Sequence, residues 1–131
     1  MSMSDLIADS LTRVRNAQAA GHEHVDVKLN KVVGEILSIL KKEGFIMNYA
    51  PFKEGSTNFA KVELKYYKEK PVIIGLNRVS KPGRRIYQGC NEIRPALNNI
   101  GINIFSTSKG VVTGKEARSL NVGGEYLCQV W

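Results

Sequence analysis

The chain has 131 residues, of which 43% are hydrophobic, and a formal net charge of +7 at pH 7. This length allows one compact domain or two small ones, with enough apolar content to bury a core. No run approaches the roughly 20 apolar residues needed to cross a bilayer, and the first residues lack the basic and apolar regions of a secretory signal. We therefore expect a protein of a reducing cytosol or of an organelle interior, with no membrane partner.

The positive charge is concentrated in the second half of the chain. Residues 1–66 hold 9 basic and 8 acidic side chains, whereas residues 67–131 hold 10 basic and 4 acidic ones. No acidic residue lies between Glu69 and Glu92. Five basic residues fall in that interval: Lys70, Arg78, Lys81, Arg84 and Arg85. A basic half with interspersed aromatic residues is typical of a protein that binds a polyanion, most often nucleic acid, although a merely solvated basic face is an alternative.

The first half predicts two helices and three strands. Apolar residues at helical spacing, ending at a glycine, predict the first helix: Ile7, Leu11, Val14, Ala17 and Gly21. The segment Val25–Leu29 alternates as a short strand, and Asn30 begins a second helix that ends at Gly44. Residues 45–52 and 59–66 are strand-like runs joined by a hairpin loop that contains glycine. We expect the helices to cover one face of this sheet.

The second half predicts a separate, mostly antiparallel sheet with short helices. Composition and charge both shift at the polar, proline-ended segment 67–71, so we place a domain boundary there, giving domains 1–66 and 67–131. The predicted elements are, in order, a strand from 72 to 76, a helix from 92 to 98, a strand from 100 to 105, a helix from 114 to 120 and a strand from 123 to 131. The predicted fold class is α/β in the broad sense, specifically α+β, with two small domains.

A short hydroxyl-rich loop, Ser106 to Gly110, follows the central strand of the second half. The S/T-x-x-E spacing of Thr113 and Glu116 predicts a capping box that braces the loop from the other side. Hydroxyls donate and accept, Lys109 adds a charge, and a glycine lets the backbone approach a partner, which suits a phosphate, a ribose hydroxyl or a base edge. A polar loop with a stray lysine is the plainer alternative.

Glu125 leaves several alternatives open. It follows Gly123 and Gly124 amid basic residues, so it could accept from a base amino group, accept from the hydroxyl loop, or pair with Arg85 or Lys109.

Motifs for catalysis and metal binding are incomplete. The sequence Ser106–Lys109 matches S-x-x-K, which keeps a small hydrolase as an alternative, but the companion motifs of that chemistry are absent. In residues 110–116 the second glycine comes one residue too early for a phosphate loop, and Glu116 stands where a magnesium ligand is required. Two cysteines and two histidines lack paired spacing. We expect no enzyme activity, no cofactor and no metal.

Separated motifs along the chain resemble the family of the eighth small-subunit ribosomal protein, uS8. They are Asp5, Ile7–Asp9, Leu11–Arg13, Arg15–Asn16, Glu43–Ile46, Arg78–Ser80, Pro82–Gly83, Arg85–Tyr87, Ser106–Val111, Thr113–Arg118 and Gly123–Glu125. The order and number of these motifs make the resemblance specific. The chain departs from the family at Gly114, where aspartate is frequent, and we expect this glycine to weaken the last helix.

The resemblance implies a protein that binds the central domain of small-subunit ribosomal RNA through its C-terminal half during assembly. It implies contacts with neighbouring small-subunit proteins, a monomer when free, and, as in some bacterial members, binding to its own messenger RNA. Either a cytoplasmic or an organellar ribosome would fit. The residues expected at RNA are Ser106, Thr107, Ser108, Lys109, Gly110, Tyr87, Arg85, Gly124 and Glu125, and from the first half Asp5, Thr12, Arg15, Asn16 and Lys31.

The hydroxyl-rich loop suits duplex RNA. A-form RNA exposes 2′-hydroxyls in a shallow minor groove, which a shallow loop of this kind can meet. A general single-strand binder is a further alternative, which predicts aromatic side chains on an exposed sheet face.

Overall fold

A computed structural model describes residues 5–94 and 101–131, and the side chains from residue 6 onwards. The chain divides into two compact units between Ile74 and Gly75. The domain boundary expected from composition, after residue 66, lies earlier in the sequence than this division after Ile74. The elements are helices packed with antiparallel sheets, which confirms the predicted α+β fold class.

The first unit contains two helices, a three-stranded sheet and a small hairpin. Its elements are α1 (Asp5–Ala19), β1 (His24–Lys28), α2 (Lys31–Lys42), β2 (Ile46–Glu54), β3 (Thr57–Leu64), β4 (Tyr66–Tyr67) and β5 (Lys70–Pro71). The larger sheet is antiparallel throughout, with β3 between β1 and β2. Strands β4 and β5 pair separately as a two-stranded hairpin.

The helices of the first unit form where their sequence patterns predict them. All four apolar residues of the α1 pattern are buried: Ile7, Leu11, Val14 and Ala17. Asn30 caps α2, because its side-chain oxygen accepts a hydrogen bond from the Val33 amide at 2.8 Å. Gly44 follows α2 with a φ of +82°, a backbone conformation that glycine adopts without strain. Both predicted helices are therefore confirmed.

The second unit is built around its last strand. Its elements are β6 (Leu76–Arg78), β7 (Tyr87–Gln88), a short 3-10 helix (Cys90–Glu92), β8 (Ile102–Thr107), β9 (Gly110–Thr113), α3 (Gly114–Ser119) and β10 (Gly124–Val130). Strand β10 pairs antiparallel with β6, β7 and β8, and β9 pairs with β8. A core of Ile93, Phe105, Val112 and Ala117 lies where α3 packs on this sheet.

Two predicted elements differ from the structure. The strand expected over 72–76 begins only at Leu76. The Val72 amide donates to the Lys65 carbonyl within the first unit, whereas Gly75 exchanges backbone hydrogen bonds with Trp131 of the second. At the predicted helix over 92–98, the 3-10 helix ends at Glu92 and Ile93 is extended, with ψ of 122°. Residues 95–98 of that prediction lie outside the described residues.

Glycine is required at position 114 for a steric reason, which its low helix propensity does not reveal. A Cβ atom at this position would overlap the side-chain amide of Asn103. That amide donates to the Arg94 carbonyl at 2.8 Å, so it is held in place. Helix α3 nevertheless begins at Gly114, because the Thr113 side chain accepts a hydrogen bond from the Glu116 amide at 3.2 Å. The predicted capping position is therefore confirmed.

Candidate nucleic-acid interface

The hydroxyl-rich segment is the tip of the β8–β9 hairpin rather than a free loop. Ser106 and Thr107 end β8, Ser108 and Lys109 form the turn, and Gly110 begins β9 with a φ of +105°. The Thr107 hydroxyl donates to the Gly110 carbonyl at 2.8 Å and accepts from the Lys109 amide at 3.1 Å. Thr107 therefore stabilises the turn, and its hydroxyl is already engaged.

The other polar groups of the tip are available to a partner. Within the part of the chain that the structure describes, the hydroxyls of Ser106 and Ser108 make no hydrogen bond, and the Lys109 ammonium makes no ion pair. Ser108 and Lys109 are exposed, whereas Ser106 is half-buried. Groups that bond only to water give up little when a partner with matching donors and acceptors replaces that water.

Three of the predicted residues form one row across the sheet. Glu125 of β10 lies opposite Tyr87 on one side and opposite Ser106 on the other, and Ser106 lies opposite Val111 of β9. Directly paired residues of antiparallel strands point to the same face, so these side chains share a face. The neighbouring pair Phe105 and Val112 points to the other face, into the core.

Tyr87 is the aromatic group of this row. It is 66% exposed, and its phenol makes no hydrogen bond with the described residues. An exposed tyrosine in a fixed strand offers both a ring face and a hydroxyl to an unstacked base.

Arg85 stands beside the row and compensates the charge of Glu125. Its Nη1 donates to Glu125 Oε2 at 3.2 Å, with the arginine side chain 37% exposed and the glutamate 18% exposed. Among the alternatives left open for Glu125, the structure therefore shows the pair with Arg85. A partly exposed pair of this kind contributes little to stability, so a ligand can exchange for either member at low cost.

Glycine is required at position 124 because β10 approaches β8 closely there. A Cβ atom there would overlap the carbonyl oxygen of Ser106, the residue whose side chain belongs to the row. Gly123 is similarly confined by the backbone of Gln88. These two glycines bring β10 close to both neighbouring strands, which places Glu125 between Tyr87 and Ser106.

The face behind the row is tightly packed. The rings of Phe105 and Tyr126 stack with centroids 4.6 Å apart, and burial raises the pKa of the Tyr126 phenol. Cys128 is fully buried, and burial raises the pKa of its thiol to about 12, so it stays protonated and unreactive at neutral pH. A rigid core under the row keeps the exposed groups in fixed positions.

The described part of the second unit has positive charge without matching carboxylates. Its three glutamates are each engaged locally: Glu92 accepts from the Gly89 amide, Glu116 from the Thr113 hydroxyl and Glu125 from Arg85. The exposed basic residues of this unit that form no ion pair with the described residues are Lys81, Arg84, Arg94, Lys109, Lys115 and Arg118. The potential around the hairpin tip is therefore positive, which favours a polyanion.

The predicted residues of the first unit lie on its helices. Thr12, Arg15 and Asn16 are exposed on one side of α1, and Lys31 is exposed at the first position of α2. Arg13, which is not among them, pairs with Asp9 at 2.9 Å. The side chain of Asp5 lies outside what the structure describes.

The sequence did not predict Gln88 or Arg84 as residues that contact RNA. Gln88 is the strand partner of Gly124 and is half-buried, while Arg84 is exposed at the turn before Arg85. The pairing of Gln88 with Gly124 depends on sheet register, which the sequence does not carry. Arg84 directly precedes Arg85 in the run Arg84–Tyr87, so it could have been predicted together with Arg85 and Tyr87.

The arrangement gives no support to the alternatives in catalysis or metal binding. In the described chain Ser106 and Lys109 share no hydrogen bond, so the lysine does not activate the serine in this geometry. Across the described ranges, no group of three or more histidine, cysteine or acidic residues could hold a metal ion. None of the helices described is long and apolar enough to span a membrane.

Taken together, the fold and the surface define a small basic α+β protein with the features of a nucleic-acid-binding protein. The family model described as "Ribosomal protein S8" matches residues 5–131. The chain is 55% identical over 132 residues to the small ribosomal subunit protein uS8 of Leptospira biflexa serovar Patoc (strain Patoc 1 / Ames), covering 100% of both chains. The uS8 proteins of Wolbachia pipientis subsp. Culex pipiens (strain wPip), at 52%, and Clostridioides difficile (strain 630), at 48%, are also covered completely. The chain belongs to the uS8 family of small ribosomal subunit proteins, which confirms the resemblance seen in its motifs.

Proposed function

We propose that this protein binds the central domain of small-subunit ribosomal RNA and helps to assemble the small subunit, without catalysis of its own. The observation that carries the proposal is the row of Tyr87, Glu125 and Ser106 beside the hairpin tip with Ser108 and Lys109. The row offers a stacking ring, an acceptor and a hydroxyl, and the tip adds a hydroxyl and a charge.

These groups suit an irregular RNA element better than a regular helix. A shallow row of small polar groups can meet 2′-hydroxyls and phosphates in the minor groove of A-form RNA, whereas Tyr87 and Glu125 need an unstacked base. We therefore infer that the preferred RNA is a duplex interrupted by a bulge or internal loop. General single-strand binding needs a series of rings on which successive bases stack. The row offers only the ring of Tyr87, because Phe105 behind it belongs to the core.

The test is the affinity of the full chain for a central-domain RNA fragment, measured across a salt series. We expect Ser108→Ala to cost about 1 kcal/mol or more for the bulged fragment and little for a plain duplex. Lys109→Ala should lower affinity for both RNAs and reduce the salt slope by about one charge.

Matched controls come from the other long hairpin of the chain. Ser56 lies in the two-residue turn between β2 and β3, as Ser108 does between β8 and β9, and Lys53 is exposed on β2. Ser56→Ala and Lys53→Ala should leave the affinity unchanged. The proposal fails if wild-type protein binds the bulged fragment no better than a plain duplex at equal salt.

We further propose that the protein is a monomer when free, contacts other small-subunit proteins in the ribosome of the cytoplasm, and regulates its own synthesis. A region of its messenger RNA that folds like the ribosomal target would compete for the row of Tyr87, Glu125 and Ser106. Competition between the two RNAs for one protein molecule tests this, with Ser108→Ala weakening both equally. If both RNAs bind at once, the regulatory proposal is wrong.

A further inference from the structure

The Ser80 side chain is buried in the segment that leads to β7. The residue is 0% exposed, and its hydroxyl accepts a hydrogen bond from the Ile86 amide at 2.8 Å. The same hydroxyl donates to the Ile86 carbonyl at 3.2 Å. A hydroxyl suits this place because it donates and accepts at once, whereas the methyl group of alanine would do neither. Ser80 therefore bonds both backbone groups of a residue six positions further along the chain.

Ile86 directly precedes Tyr87, the aromatic residue of the row. The Ile86 carbonyl also accepts a hydrogen bond from the Tyr126 amide at 2.9 Å, and the Ser80 amide donates to the Tyr126 carbonyl at 3.1 Å. Ser80 thus joins the start of β7 to β10. Because successive side chains of a strand point to opposite faces, fixing the half-buried Ile86 also fixes the direction in which the exposed Tyr87 points.

The hydrogen bonds of Ser80 close the base of a basic turn. Lys81 and Arg84 exchange two backbone hydrogen bonds, at 3.0 and 2.9 Å, with Pro82 and Gly83 between them. All four residues are exposed. The side chains of Lys81 and Arg84 form no ion pair with any residue that the structure describes. A short, closed turn therefore carries two cations that are free to meet an anion.

This turn adjoins the row of Tyr87, Glu125 and Ser106. Arg85, the residue after the turn, pairs with Glu125, which lies opposite Tyr87 in the sheet. Phosphates accompany every base along an RNA strand, and phosphate contacts orient the strand while base contacts read it. Cations beside the Tyr87 ring are therefore placed to hold the backbone of a nucleotide whose base lies against that ring.

Resting on the proposed function, we propose that Ser80 is a positioning residue of the RNA interface, one that does not itself touch RNA. Its hydroxyl sets Tyr87 for an unstacked base and sets the turn of Lys81 and Arg84 for the adjoining phosphates. Base and backbone are then bound by one rigid segment. Groups held in place before binding give a higher affinity, because the RNA does not have to order them.

A serine that only stabilises the fold leads to different expectations. Its removal would lower the free energy of unfolding, but the protein that remains folded would bind RNA with the same affinity and the same salt dependence. Removal of a positioning residue leaves Lys81, Arg84 and Tyr87 present but no longer held. Each of them then contributes less to binding, so its own removal has a smaller effect.

The experiment measures the affinity of the full chain for the bulged central-domain fragment across a salt series, at a temperature where tryptophan fluorescence shows each variant to be folded. Ser80→Ala should lower the affinity about tenfold and reduce the salt slope by about one phosphate contact. Lys81→Ala and Tyr87→Ala should each weaken wild-type binding severalfold, and clearly less in the Ser80→Ala background. If Ser80→Ala does not fold, Ser80→Cys replaces it, since a thiol is a weak donor and acceptor of similar size.

Ser10→Ala is the matched control. Ser10 is also buried, at 6% exposed, but its hydroxyl has no hydrogen-bond partner among the described residues. This substitution also removes a buried hydroxyl, but one that holds none of the binding groups. It should change neither the affinity nor the salt slope.

The failures of the two proposals differ. If Ser108→Ala weakens RNA binding while the Ser80 variant keeps the wild-type affinity and salt slope, the positioning proposal is wrong and the proposed function stands. Full-sized effects of Lys81→Ala and Tyr87→Ala in the Ser80 variant would also overturn it, because they would show that Ser80 does not act through these residues. If wild-type protein binds the bulged fragment no better than a plain duplex, both proposals fall.

Discussion

Arg85 Nη1 donates to Glu125 Oε2 at 3.2 Å, and this pair joins the segment before β7 to the start of β10. Because both side chains are partly exposed, we expect a coupling free energy of about 0.5 kcal/mol, which 1 M salt would abolish. A double-mutant cycle of Arg85→Ala and Glu125→Ala, followed by urea unfolding at low and high salt, measures it. A coupling that persists in high salt would mean that the pair is more buried than the structure shows.

Thr107 and Ser108 are adjacent hydroxyl residues with different expected roles. The Thr107 hydroxyl makes two hydrogen bonds inside the turn, so Thr107→Val should lower the free energy of unfolding by about 1–2 kcal/mol. Ser108→Ala should leave stability within about 0.5 kcal/mol and act on RNA affinity. Urea unfolding of both variants separates the two roles. Equal destabilisation by the two substitutions would contradict this assignment.

Gly75 lies against the ring of Trp131, where a Cβ atom would overlap the indole. Gly75→Ala should therefore destabilise the second unit by about 1–3 kcal/mol. Gly83→Ala is the matched control, since a Cβ atom there meets nothing within 4 Å, and it should change stability by less than about 0.5 kcal/mol. The single tryptophan of the chain reports both variants by its fluorescence. An unchanged midpoint and emission spectrum for Gly75→Ala would show that the ring does not pack there.

The burial of the Cys128 thiol leads us to expect a loss of stability at alkaline pH. Burial raises the pKa of its thiol from 9.0 to about 12, so above pH 9 the unfolded chain releases a proton that the folded chain retains. Stability is therefore fully present below pH 9 and falls by about 1.4 kcal/mol per pH unit until pH reaches about 12. Urea unfolding from pH 7 to 11 should show this fall, and Cys128→Ala should remove the part due to Cys128. A Cys128→Ala profile as steep as that of wild type would assign the loss to other groups.

Local sequence patterns determined much of the fold. The apolar spacing of Ile7, Leu11, Val14 and Ala17, the cap at Asn30 and the cap at Thr113 each depend on residues within one or two helical turns. Such short-range interactions form the same way whatever the distant chain does, so periodicity and capping residues predict them. The positive second half and the uS8 motifs likewise required nothing beyond the order of residues.

Only the tertiary structure decided which residues meet across the sheet. Glu125 faces Tyr87 and Ser106 because β10 pairs with β7 and β8 in one particular register, and a shift of one residue would turn its side chain to the other face. The choice of Arg85 as the partner of Glu125, the engagement of Thr107 within the turn and the hydrogen bonds of Ser80 with Ile86 follow from such contacts. They join segments far apart in sequence, or depend on backbone geometry that local composition does not specify.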